Sequence, residues 1–243
     1  MVMKHYYWLF IALSLALAGC RSPQFVNHSR PELNVDFSVF ENVGCPIDRD
    51  ENFYRKCEAD SPMADLGCDQ IKRINILGGL DPSYPIAECV VAPSSSEELH
   101  QIVDEGNYLD REGGLFPIFI RYVIFRDDQF ELIGTRDEFK AVFAPVTSPE
   151  EALSYALVMK DLSAYFGLEY DSKYEYFVDE IEDSYVEEKA GGYLVHMYSY
   201  ELFGCGPHIT SAVDVEVTTD GDINKINSEA VYKDPSEDDL CVD

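Results

Sequence analysis

The most chemically suggestive stretch of the 243-residue chain is Gly204-Cys205-Gly206-Pro207-His208. A cysteine and a histidine three apart on a Gly-Pro turn have the residue types of a nucleophile and its base, with backbone amides at hand to receive an oxyanion. Cys205 reads equally as half of a disulfide, the glycines then serving the turn. Asp220, Asp222 and Asn224 have the alternate spacing that opens calcium-binding loops, where a hard cation collects oxygen ligands. Lys225 stands where that loop needs glycine and Val231 where it needs a bidentate carboxylate, and a hairpin turn explains Asp220-Gly221 without a metal. The denser runs Asp179, Glu180, Glu182, Asp183 and Asp234, Glu237, Asp238, Asp239 read as solvated acidic faces, with weak divalent binding as the alternative.

Tyrosine is abundant at sixteen residues, and Tyr193, Tyr198 and Tyr200 crowd one expected strand, with Tyr174, Tyr176 and Tyr185 just before it. On an exposed sheet face such a group suits peptide or glycan contact, because tyrosine offers a large area and a polar tip at small entropy cost; packing is the alternative. His196 alternates with Tyr198 and Tyr200 and lines a sheet face on that pattern. No two histidines stand at i, i+4 on an expected helix, and the chain has neither Cys-x-x-Cys nor Gly-x-Ser-x-Gly, so zinc, thiol-redox and common esterase signatures are missing. No cofactor is expected.

The first 20 residues carry an address. Lys4 and His5 form a short basic start, and Leu9 to Ala18 is an apolar run broken only by Ser14. That run is too short for the roughly 20 residues a spanning helix needs, so it reads as a signal-peptide core. The ending Leu17-Ala18-Gly19-Cys20 resembles the lipobox of bacterial lipoproteins. The resemblance implies cleavage before Cys20 and acylation, palmitate included, of that cysteine, so that acyl chains attach the protein to a membrane without a transmembrane helix. Arg21, standing where the sorting rule of such proteins watches for Asp, implies passage to the outer membrane.

With Cys20 set aside, six cysteines remain: Cys45, Cys57, Cys68, Cys89, Cys205 and Cys241. An even number in an exported chain predicts disulfides, which an oxidising envelope or periplasm permits. Four of the six fall in the Gly-, Pro- and Asp-rich stretch 45–89, leaving Cys205 and Cys241 as the remaining pair. This parity disfavours the nucleophile reading of Cys205. Acidic residues outnumber basic ones 46 to 18, a net charge of -28. Such a field opposes nucleic acid and anionic membrane surfaces alike, so nucleic acid is excluded as a partner and membrane attachment falls to the lipid anchor.

Several elements must position these groups. Residues 1–19 read as the signal peptide, 20–43 as the lipidated cysteine and a flexible tether, and 44–243 as one α+β domain whose part to residue 93 is cysteine-rich. Ser95 with Glu98 and Thr135 with Glu138 have capping-box spacing, predicting helices to about Asp110 and to Phe143. Ser148 as cap and Pro149 at the first position predict a helix running to Phe166, with Gly167 to end it and one apolar face set on a sheet. Strands are expected over 116–126 and 130–133 as a hairpin, then over 174–177, 183–188, 193–203, 212–217 and 223–232, with a type I′ turn at Asp220-Gly221. Helices grouped before a run of antiparallel strands predict a disulfide-stabilised α+β fold with the helices first and the sheet after. The function expected is a lipid-anchored envelope module that binds a protein or peptide without catalysis; the alternative is a secreted hydrolase using Cys205 and His208.

Overall fold

The computed structural model describes residues 25–26, 37–46, 56–74 and 78–242. The signal peptide, Cys20 and most of the expected tether lie outside the described residues. Among those described, 36% are strand and 21% helix, and the strands form two larger antiparallel sheets and a two-stranded ladder, with helices interspersed among them in sequence. The expected order of helices first and sheet after is therefore overturned. The reason is visible in β2 (Gln70–Arg73), β3 (Ile86–Val91) and β4 (Asp110–Glu112). Five of the six β3 residues are buried, so that strand shows no alternation of apolar and polar residues for a pattern reading to catch.

The N-terminal sheet has the order β2-β3-β5-β4, where β5 is Ile118–Arg126, and β6 (Gln129–Ile133) pairs with β5 beyond β4. The β5–β6 hairpin turns on Asp127 and Asp128, both left-handed at φ 51° and 60°, which is the type I′ conformation. At Asp220-Gly221, where that turn was expected, only Gly221 is left-handed. One face of this sheet lies under α1 (Pro62–Asp65), α2 (Ser96–Glu105) and a 3-10 turn at Ser38–Phe40, around Met63, Ile71, Ile102 and Phe119. The disulfides Cys45–Cys57 and Cys68–Cys89 staple this smaller core. Phe37, Phe40 and Val43 are buried in it, so the body begins before residue 44; their spacing in a polar stretch had read as tether.

The C-terminal sheet has the order β1-β8-β9-β11-β12-β7. Its strands are β1 (Phe25–Val26), β7 (Glu175–Tyr176), β8 (Tyr185–Lys189), β9 (Gly192–Tyr200), β11 (Ile209–Thr218) and β12 (Ile223–Lys233). β1 also falls within the expected tether, pairing Phe25 with Glu187 and Val26 with Val186. A small ladder of β10 (Gly204–Cys205) and β13 (Cys241–Val242) closes the C-terminal corner.

Between the sheets lie α3 (Arg136–Phe143) and α4 (Pro149–Lys160). Thr135 and Glu138 form the expected capping box on α3. Ser148 caps α4 by accepting from the Glu151 amide at 3.1 Å, and Pro149 takes the first position. Every residue of α4 from Glu151 to Met159 is buried, so the helix has apolar contacts all round rather than the single face its sequence suggested. It packs on β8, β9 and β11 and belongs to one continuous core with Val186, Val195 and Val215 of that sheet and Ile120 and Ile124 of the other. The buried hydroxyl of Ser154 accepts from the Gly79 amide at 3.1 Å, and the approach is so close that a Cβ on Gly79 would fall 2.1 Å from the Glu150 carbonyl oxygen. α4 ends at left-handed Asp161, before the expected Phe166, because Ser163 turns out to exchange backbone hydrogen bonds with Tyr198 at the margin of β9. Among the described residues no helix is long and apolar enough to cross a membrane.

Leu153 is fully buried in this shared core. Leu153→Ala is expected to cost about 2–5 kcal/mol by urea unfolding, through lost burial and the cavity left in a close-packed core; a loss below about 1 kcal/mol would contradict its place in that core.

Candidate functional site

Cys205 lies opposite Cys241 in the β10–β13 ladder and is joined to it as a disulfide. It carries no thiol, and the nucleophile reading falls with it. His208 is 2% exposed, its Nδ1 2.8 Å from the Glu201 carbonyl oxygen and its Nε2 3.0 Å from that of Leu240. Both ring nitrogens are thus engaged in fastening the C-terminal segment to the loop after β9. The two residues that suggested catalysis stand side by side as fasteners of one corner.

The three strand tyrosines do not share a face. Tyr193 points into the core with Val195 and Met197, while His196, Tyr198 and Tyr200 lie on the opposite face. Period-two alternation separates 193 from 198 and 200, so this split was available from the sequence. Tyr198 is buried, stacked on Tyr165 at 5.0 Å, and its hydroxyl donates to the Glu182 carbonyl. Tyr200 is 40% exposed and donates to Glu237 at 2.7 Å. Partial burial, reinforced by Glu237, pushes its phenol up to about 12, so it stays a neutral donor at physiological pH. His196 holds Asp214 at 2.7 Å through Nδ1 and stacks on Tyr185, and its Nε2 is buried with no hydrogen-bond partner among the described residues. Asn227 donates to the other Asp214 oxygen at 3.3 Å.

Beside this tyrosine group runs an open groove of about 400 Å³, lined by Ala164, Tyr165, Phe166, Leu168 and Tyr232. Exposed apolar side chains stand elsewhere on the same half of the molecule: Tyr170 and Phe177, and at the disulfide-tied corner Leu202, Phe203 and Leu240.

The calcium candidates Asp220, Asp222 and Asn224 stand at the β11–β12 turn and the start of β12. Asp222 pairs with Lys140 across to α3, and Asn224 lies on the exposed part of β12 beyond the turn that holds Asp220. Among the described residues no group of three His, Cys, Asp or Glu side chains is placed to hold a metal. Much of the two acidic runs serves the fold instead: Asp183 accepts from the amides of Gly167 and Leu168, Asp238 pairs with Lys233, and Asp234 accepts from the Ser236 amide.

A second constellation had no sequence signal. On the face of the N-terminal sheet that looks toward α4, Lys72, Glu88 and Tyr122 stand in register on three neighbouring strands. Asp110 and Glu112 follow on β4, Arg136 begins α3, and Asp161 ends α4. Lys72 pairs with Glu88 at 2.5 Å; Arg136 pairs with Asp110 at 2.8 Å and donates to the Met159 carbonyl at 3.0 Å. Burial, then the charges of Asp161 and Glu112, push the Asp110 carboxyl up to about 6 against the pull of Arg136. Asp161 is also raised, by desolvation and then by the charge of Glu112. Seven polar groups from six elements thus converge, which spacing along the chain cannot reveal. Asp110 and Glu112, two apart on one strand, were the only local trace.

No family model, curated protein or solved structure matches this chain, so the reading of both surfaces rests on their own geometry.

The Asp110 shift has a sign. The native carboxyl keeps its proton up to about pH 6, whereas an unperturbed one loses it near 3.8. Between those values the native state binds more protons, so stability rises as pH falls from about 7 to 4, by roughly 2–3 kcal/mol for this group. Asp110→Asn is expected to remove that increment from urea-unfolding stabilities measured across the range; a variant with the same pH slope as the parent would contradict the shift.

Proposed function

We propose that the protein is a lipid-anchored component of a bacterial cell envelope, held at the outer membrane through acylated Cys20, and that it works as a non-catalytic binding module for a protein or peptide. The lipobox resemblance supports the address. The disulfide state of all six remaining cysteines agrees with an oxidising compartment. The observation that carries the binding reading is the cluster of exposed apolar side chains, Leu202, Phe203 and Leu240 with Tyr200 beside them, at a corner fixed by the Cys205–Cys241 bridge and His208.

Exposed apolar groups grouped on a rigid corner mark association surfaces, because they cost little order on binding and regain the hydrophobic free energy left unrealised in the free protein. The net charge of -28 favours a partner with a basic rim around its apolar anchor. The hydrolase alternative has lost its nucleophile, since Cys205 is bonded to Cys241.

Cross-linking in intact envelopes is expected to recover one dominant partner, and Phe203→Ser with Leu240→Ser to weaken its capture at least tenfold while the unfolding midpoint stays unchanged. Capture that survives both substitutions would remove the corner from the binding surface.

A further inference from the structure

The open groove of about 400 Å³ on the C-terminal half draws its lining from two groups of packed rings. Tyr165 stacks on Tyr198, which meets His196 edge-on, and His196 stacks in turn on Tyr185. Tyr232 packs against Tyr174 at 4.6 Å and Tyr176 at 5.7 Å. Phe166 and Leu168 add a third ring and an aliphatic side chain to the lining. Burial holds the phenols of Tyr165 and Tyr232 above their ordinary range, so both rings stay neutral at physiological pH. A neutral ring presents a negative face that attracts a cation lying over it. The chain already uses that attraction beside the groove, where the Lys173 ammonium lies 4.4 Å from the centre of the Tyr174 ring.

The charge around these rings is complementary to a cation. Asp183 accepts from the amides of Gly167 and Leu168, so its carboxylate lies against the segment that lines the groove. Glu182 and Asp183 act on Tyr198, the ring on which Tyr165 stacks, and Glu237 and Asp234 act on Tyr200, whose phenol also feels Tyr165. The neighbouring lysines are committed elsewhere, Lys173 to Asp171 and Lys233 to Glu175 and Asp238.

We infer that the groove holds the arginine side chain of a basic peptide, its guanidinium lying against the Tyr165 and Tyr232 rings within the field of these carboxylates. A guanidinium is planar and weakly hydrated and stacks on aromatic faces, whereas a lysine ammonium is a compact, strongly hydrated charge whose hydrogen bonds must be replaced. A lining of rings and aliphatic side chains supplies faces rather than those acceptors. A neutral sugar would stack on the same rings but gain nothing from the charge around them. The lining shares no residue with the apolar corner at Leu202, Phe203 and Leu240, and the inference stands without the function proposed for that corner.

The test is fluorescence polarisation of the full-length protein in non-ionic detergent with a labelled pentapeptide amide that carries one arginine between alanines. Roughly 0.15 M salt, with a Debye length of about 8 Å, screens the general attraction of an acidic protein. Saturable binding is expected, about fivefold tighter than that of the matching lysine peptide and about tenfold tighter than that of the citrulline peptide, which keeps the shape and loses the charge. Leu168→Lys is expected to raise the Kd about tenfold and Leu168→Glu to leave it unchanged or lower it, although both remove the same apolar side chain. Phe203→Ser with Leu240→Ser is expected to have no effect. Arginine and citrulline peptides that bind alike to the parent protein, or Leu168 variants that weaken binding equally, would overturn a cation site in the groove. Loss confined to the corner variants would overturn the location, and neutral cellotriose that displaces the peptide and binds more tightly would overturn the ligand class.

Discussion

The molecule is organised around a helix with no wet side. α4 is buried from Glu151 to Met159, in the one core that it shares with side chains of both sheets. That burial places the polar side chains of the helix under strict conditions. Ser154 finds the Gly79 amide, and the Tyr155 hydroxyl finds the Gly221 carbonyl at 2.9 Å. Glu151 reaches back to the amide and hydroxyl of Thr147, so that its charge sits at the positive end of the helix although burial raises its carboxyl above the ordinary range. Where the helix stops, at Asp161, the dry layer stops too, and the carboxylates and cations around Tyr122 take over.

The C-terminal corner follows a different logic. β10 and β13 have two residues each, too few to persist by pairing alone. Covalent closure of Cys205 on Cys241, the two backbone contacts of His208 and the Tyr200–Glu237 hydrogen bond do there what a core does elsewhere. A segment held in that way keeps Phe203 and Leu240 outward without collapse onto the body. Residues that look catalytic by type and spacing are, in this setting, the means by which an apolar surface is kept ordered.

Local signals in the sequence proved legible and long-range ones did not. Ser95, Thr135 and Ser148 cap their helices as read, and the strands from residue 185 onward lie close to their expected bounds. The pairing of Cys205 with Cys241 was also anticipated, by elimination. Helix ends differ from the expected ones for two reasons: α2 stops at Glu105 on the local signal of left-handed Gly106, and α4 stops where Ser163 pairs with Tyr198, a tertiary contact. β3 was missed because burial on both faces erases alternation, and the order of helices and sheets went wrong with it. Tyr193 faces the core, away from Tyr198 and Tyr200, as period-two alternation along β9 requires. The polar constellation around Tyr122 was beyond reach, since Lys72 and Asp161 meet only after the sheet and helix have formed.

The most direct test of the account is the intact mass of the exported protein, alkylated before and after reduction. The expected result is a chain beginning at acylated Cys20 in which no thiol reacts before reduction and six react after it. An unmodified N-terminus would contradict the lipid anchor, and a thiol at Cys205 that reacts before reduction would contradict the corner on which the binding reading depends.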